Sequence, residues 1–253
     1  MNTVPTPDMT YFSERRTVRS FTGEAPSREL IATILEEAQR APTTGNMQLY
    51  SVVITRDPER LEALRPAHFC QPASMAPVLL TVCADVRRFE RWCAVSDAKP
   101  EFRNLQGLVA AALDASLLAQ QITTVAEMHG LGTCWLGTTT YNAQEIAAAL
   151  RLPEGVVPIG TLAVGFPADR PAQCERIPVR AWAYEEEYPE FTDGQIKELY
   201  AAKDEFPENA RFVAENGKQT LAQVFTDIRY PASNSEPFSA KFADYLRSAG
   251  FRL

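Results

Sequence analysis

The chain has 253 residues, 45% hydrophobic and 23% charged, a balance that supports a globular fold with a sizeable core. Its formal net charge of -7 excludes a general nucleic-acid binder, because phosphate contacts need a net basic face. Cys70, Cys83, Cys93, Cys134 and Cys174 form no CxxC pair, and His68 and His129 belong to no metal-ligand pattern, so neither a disulfide nor a dedicated transition-metal site is expected. A reducing cytoplasm is the expected location. The start "MNTVPTPDMTYFSERR" lacks the order of a secretory signal. The apolar runs "APVLLTVCA" and "LVAAALDASLLAQQ" read as too short to span a bilayer, and Asp114 interrupts the second, so no membrane association is expected.

A short helix is expected around residues 9–16. Pro26 and Ser27 open a second, with Ser27 as N-cap and Leu30, Ile31, Ile34, Leu35 and Ala38 on one face; Pro42 ends it. "LYSVVIT" (49–55) and "PVLLTVCA" (77–84) read as strands, with a helix begun by Pro58 between them. A long helix runs from Asn104 to His129, apolar around most of its girth and rich in Ala and Ser, which suits a core or a subunit interface; Gly130 ends it. "GTCWLG" (132–137) is a strand, Asn142 and Glu145 form a capping-box pattern for "AQEIAAAL", and "VVPIGTLAVGFP" (156–167) is another strand. A proline-rich connector follows, through Pro178. Thr192 and Gln195 then cap a helix, with further polar helices near 208–228 and 236–249. Helices and strands do not alternate as βαβ units, so an α+β layer fold is expected rather than a Rossmann sheet.

Three stretches carry possible chemistry, and each has two readings. In "RRTVRSF" (15–21), Arg15 and Arg19 share a face if the helix continues, and Thr17 adds a hydroxyl; this suits a phosphate, or else forms a solvated basic face paired to Glu14 and Glu24. "APTTGNMQ" (41–48) lines a flat polar ligand or is a plain surface connection. "WLGTTTYN" (135–142) offers backbone N–H groups to a ring or phosphate, or is a turn before a capped helix. There is no GxSxG, P-loop or GxGxxG, and no readable Ser/His/Asp set. An enzyme with so little acid–base machinery would depend on a cofactor.

Taken in order, "RRTVRSF", "RAPTTGNMQLYSVVI", "GLGTCWLGTTTYN" and "VGFPADRP…CERIP" resemble the flavin-dependent nitroreductase family, over roughly residues 10 to 185. "CWLGTTTYNA" and "LAQVFTDIRYP" are similar to a bacterial subgroup close in length to the oxygen-insensitive NADPH nitroreductases. The resemblance implies a three-layer α+β fold with a central mixed or antiparallel sheet, in an intertwined homodimer. It implies an FMN-binding domain over 1–185 and a helical extension over 186–253 that wraps the partner subunit. It also implies FMN as cofactor, with Arg15, Arg16 and Thr17 at the phosphate and Arg19 at the ring, where its charge favours flavin reduction and makes it the one residue assigned a catalytic role. Pro42, Thr43, Thr44, Asn46 and Gln48 would lie against the ring, often from the other subunit. Gln71 (or Cys70) would meet its polar edge, Trp135, Leu136, Gly137 and Thr138 would back it, and Arg176 would return to the phosphate. Two positions depart from the pattern: Cys174 stands where some relatives have Lys, and Thr138 where relatives with "IGG" have a second glycine.

The activity so implied is FMN-dependent NAD(P)H oxidation by ping-pong hydride transfer through flavin N5, with nitroaromatics, quinones or similar small molecules as acceptors. Competing readings are a specialised flavin dehydrogenase or reductive dehalogenase, a non-catalytic FMN-binding or redox-sensing protein, and an interaction protein without cofactor. Preference for NADPH would need cations such as Arg211, Lys218 or Arg229 near a 2′-phosphate.

Overall fold

The computed structural model describes residues 9–253; part of the N-terminal stretch read above, residues 1–8, lies outside them. In chain order the principal elements are α1 (Thr10–Glu14), α2 (Arg28–Ala38), β1 (Tyr50–Thr55), α3 (Pro58–Leu64), β2 (Val78–Asp85), α4 (Arg87–Val95), α5 (Leu105–Met128) and β3 (Gly132–Leu136). They continue with α6 (Ala143–Leu150), β4 (Val156–Gly165), α7 (Asp193–Asp204), α8 (Pro207–Glu215), α9 (Leu221–Gln223) and α10 (Ala232–Ser248).

The four strands make one sheet in the order β1-β2-β4-β3, every pairing antiparallel. Both faces are covered, which is why β2 and β4 read as continuous apolar runs rather than as alternation. On one face Ile31 and Ile34 of α2 and Ala115, Leu118 and Ile122 of α5 pack against Leu80, Val82, Leu162 and Val164. On the other, Leu61 and Leu64 of α3 and Ile146 of α6 pack against Leu79, Leu136 and Ala163. The expected three-layer α+β architecture is therefore present, with an antiparallel sheet. At one end Tyr245, Leu246 and Phe251 bring the C-terminus onto Leu49, Ala84, Leu108 and Val157.

Local chemistry accounts for most boundaries. Ser27 accepts from Leu30 N at 3.0 Å, and Asn104 accepts from Gly107 N at 2.9 Å. Thr192 and Gln195 form the expected reciprocal box. The box expected at α6 does not form: Asn142 donates to Ala67 O at 2.8 Å and accepts from Lys241 Nζ at 2.9 Å, so its amide ties neighbouring segments together. The helix expected over 208–228 breaks at Gly217 (φ +59°) and resumes as α9, which runs into a π-helical stretch at Val224–Arg229. Helix α4 was not read from sequence; only Cys93 of it is buried, and its first turn is capped from Asp85, which accepts from Arg88 N at 3.0 Å.

Helix α5 spans 24 residues with a mean hydropathy of 1.4 over its most apolar window, so by length and composition it could cross a bilayer, contrary to the expectation that this run is too short. It is instead a core helix, one face buried against the sheet and α2.

The chain divides into two compact units. The first runs to Pro171 and regains Phe238–Leu253; the second is Ala172–Pro237. These bounds differ from the expected division at 185/186, because the apolar end of α10 packs into the first unit's core.

Candidate functional site

Helix α1 ends at Arg15, whose φ of -57° and ψ of 137° turn the chain into an extended path. Val18 N donates to Thr133 O at 3.0 Å, Thr22 N to Phe166 O at 2.9 Å, and Ala168 N to Ser20 O at 3.0 Å. The segment thus touches β3 near its start and pairs antiparallel with the chain just past β4, at Phe21 and Pro167. Gly132 permits this approach, since a Cβ there would stand 2.7 Å from Val18 Cβ. The helical spacing considered for Arg15 and Arg19 is therefore replaced by strand spacing. The two residues still share a side, together with Thr17, but four extended residues separate them by roughly 13 Å rather than one helical turn. They make a line, not a pincer.

Arg16 lines the same cavity as Arg15, and its Nε is buried without a hydrogen-bond partner among the described residues. Arg15 pairs with Glu127 at 3.2 Å, a carboxylate that also accepts from Tyr11 Oη at 2.9 Å and from Thr133 Oγ1. Burial, and then the bond to Glu127, push the Tyr11 phenol above its ordinary pKa. Glu14, considered as a partner for these arginines, instead pairs with Arg170 at 2.7 Å. A cavity of about 370 Å³ opens among Tyr11, Arg15, Arg16, Glu127, Asp169 and Arg170. Burial raises the Cys134 thiol pKa, while the charges of Arg19 and Arg15 pull it back, so both guanidinium groups act on the same part of β3.

The C-terminal end of β3 meets the loop before β2. The six-membered ring of Trp135 abuts Gly160, where a Cβ would come within 2.1 Å of it. Leu136 is fully buried and supports this end of the strand from within. Thr138 Oγ1 accepts from Gln71 Nε2 at 3.2 Å and lies 3.1 Å from His68 Nδ1. His68 is fully buried, and burial lowers its pKa to about 4, so the ring is neutral. Beside it, Tyr141 and Phe238 stack with centroids 4.6 Å apart, and Phe69 lies 6.1 Å from Phe238.

The loop 41–48 is held from the inside. Asp114 of α5, 1% exposed, accepts from Thr44 N at 2.7 Å, Thr44 Oγ1 at 2.8 Å and Leu49 N at 3.1 Å. Thr44's hydroxyl is thereby committed to the scaffold. Thr43 Oγ1 accepts from Gln48 N at 3.4 Å, and Arg88 reaches Gln48 O at 2.6 Å. Gly45, Asn46 and Gln48 all have positive φ, a strained path that these bonds pin in place. Pro42 and Asn46 are exposed. This loop leads into β1, whereas the arginines lie beside β3, at the opposite edge of the sheet.

The sequence-predicted residues therefore form three groups. Arg15, Arg16, Thr17, Arg19, Gln71, Trp135, Leu136, Gly137 and Thr138 gather around β3; Pro42, Thr43, Thr44, Asn46 and Gln48 precede β1. Arg176 belongs to the second unit, donating to Cys174 O at 3.3 Å and Glu175 O at 2.8 Å. Among the candidate cations for a 2′-phosphate, Arg211 pairs with Glu215, Lys218 pairs with Asp227, and Arg229 lies 4.6 Å over the Phe212 ring. Sequence reasoning missed Asp114 and Glu127 as organisers, and it placed His68 near the ligand edge without giving it a role. A lone carboxylate within an apolar helix was the available signal for Asp114, because such a group is buried only when it is paired.

The model of the Nitroreductase family matches residues 12–166. An FMN reductase [NAD(P)H] of Bacillus subtilis (strain 168) is 32% identical over 228 residues, covering 87% of this chain and 91% of the relative. An oxygen-insensitive NADPH nitroreductase of Salmonella typhimurium (strain LT2) is 26% identical over 93% of this chain and 94% of its own. A crystal structure of a protein from Bacteroides fragilis NCTC 9343 superposes with a TM-score of 0.94 at 48% identity, covering 97% of this chain and all of that one.

Two outcomes follow from this geometry. Asp114→Asn turns an NH2 group toward an N–H donor whichever way the amide lies, and should cost about 2 kcal/mol in urea denaturation. His68 holds a folded pKa near 4 against an ordinary 6.5, so the unfolded chain protonates first as pH falls. Its contribution is complete above pH 6.5 and is lost between 6.5 and 4, on the order of 3 kcal/mol. Urea midpoints measured from pH 7 to 4.5 should fall less steeply for His68→Gln than for the native chain.

Proposed function

The chain belongs to the nitroreductase family, and on that premise we propose that it is an FMN-dependent oxidoreductase that oxidises NAD(P)H and reduces small acceptors such as nitroaromatics and quinones. When bound, FMN supplies the hydride-accepting and hydride-donating chemistry that no side chain of this protein has. The observation that carries the reading is the buried Nε of Arg16, a guanidinium N–H with no partner among the described residues, beside a line of Arg15, Thr17 and Arg19. An added phosphate would satisfy it, and the donor set suits a cofactor with an anion at one end and a polar ring at the other.

On this reading Arg15, Arg16 and Thr17 hold the phosphate, and Glu127 sets the direction of Arg15. Arg19 places a fixed positive charge where negative charge develops on reduction, stabilising it without reorganisation. Trp135, Gly137 and Thr138, with buried Leu136 behind them, back the ring and exclude water, and Gln71 faces its polar edge. Solvent supplies the protons. The unpaired thiols and the use of NAD(P)H support a cytoplasmic location.

The active form on this reading is a homodimer. Three strand spacings, roughly 14 Å, separate β1 from β3. The loop Pro42–Gln48 and the arginine segment would then serve one ring from two chains. Leu105, Val109, Leu113 and Leu117, four residues apart along α5, form an exposed apolar stripe on a helix whose other face is core, which supports a second copy there. The helical segment from residue 186 is read as an arm toward that copy.

The purified protein should show flavin absorption bands, and these should bleach when NADPH is added without oxygen. Absence of bands after FMN is supplied would reject the cofactor, and bands that persist would reject the activity. Arg16→Ala should weaken FMN binding by about 10- to 100-fold in a fluorescence titration. The double change Leu113→Glu, Leu117→Glu should shift gel filtration from dimer to monomer, and an unchanged elution volume would place the interface elsewhere.

A further inference from the structure

His68 is a fully buried imidazole with one ring nitrogen, Nε2, lacking any partner among the described residues. Its other nitrogen, Nδ1, is 3.1 Å from Thr138 Oγ1, and Gln71 Nε2 donates to that same oxygen at 3.2 Å. A neutral imidazole has one N–H and one bare nitrogen, and a hydroxyl has two acceptor positions and one proton. An orphaned buried N–H is the rarer defect in folded proteins; an under-used acceptor is better tolerated. The unpartnered Nε2 is therefore the bare nitrogen, and the ring proton sits on Nδ1. Thr138 Oγ1 then accepts twice, from His68 and from Gln71, and both of its acceptor positions are filled. Its own proton must point away from both.

We propose that His68 is a positioning residue which, with Gln71, fixes the Thr138 hydroxyl as a one-way hydrogen-bond donor to the bound FMN. This rests on the flavoprotein reading above. Thr138 stands where relatives with a double glycine have no side chain, so the donor would belong to this chain rather than to the family pattern. The role of His68 is exercised through Thr138 and needs no contact with the cofactor.

Nitrogen-15 spectra of histidine-labelled protein at neutral pH should show His68 protonated at Nδ1 and bare at Nε2; the opposite tautomer overturns the proposal. In fluorescence titrations with FMN, Thr138→Val should bind about fivefold more weakly, the value of one hydrogen bond, while Thr138→Ser stays within about twofold of the native chain. His68→Phe should reproduce the loss, and His68→Phe combined with Thr138→Val should bind no more weakly than Thr138→Val alone. Native affinity in Thr138→Val, or multiplied losses in the double variant, overturns the proposal while leaving the flavoprotein reading intact. If the native chain itself binds no FMN, both fall together. Should His68→Phe fail to fold, the tautomer and the half-buried Thr138 pair decide the question.

Discussion

The docking of the extended segment Arg15–Phe21, by one backbone bond to β3 and an antiparallel bridge just past β4, governs where its cations point. A glycine at 132 allows the approach, Val18 anchors it in the core, and backbone hydrogen bonds to Thr133 and Phe166 set its register. Once that register is set, Arg15 and Arg16 line one cavity and Arg19 lies further along the segment. Had α1 continued, the same residues would have formed a compact basic patch. The extended path spreads them along roughly 13 Å, a length suited to a ligand with separated polar groups rather than to a lone anion.

Helix α5 is the second organising element, and it serves two surfaces. Its inner face closes the core against the sheet, while Asp114 reaches from within to hold the strained loop before β1. A buried carboxylate is tolerable here because three donors converge on it. The outer face presents an apolar stripe. One helix thus links the core, the strained loop before β1 and an exposed apolar surface, so changes along it are expected to be felt in that loop as well as in stability.

Much of the architecture was legible because its signals are local. Apolar spacing marked α2 and α5, Ser27 and Thr192 marked helix starts, and unbroken β-branched runs marked β1, β2 and β4. Signals that depend on a distant partner misled. Asn142 has a capping residue's identity and spacing, yet Ala67 and Lys241 claim its amide. Residues 208–228 read as one helix although Gly217 divides them. Helix α4 went unread because its exposed charges obscure a single buried position, Cys93.

The sequence by itself determined the layer class, the family resemblance and the three stretches from which a cofactor site would be drawn, since residue type and short-range spacing carry that information. Only the tertiary structure decided what each residue faces. Strand order put the loop Pro42–Gln48 and the arginines at opposite edges of one sheet, and long-range contacts paired Arg15 with Glu127, Thr44 with Asp114, and Thr138 with both His68 and Gln71. The pairs are 112, 70, 70 and 67 positions apart in the chain. Such partners are chosen by packing and burial, which act through space and leave no periodicity in the sequence to read.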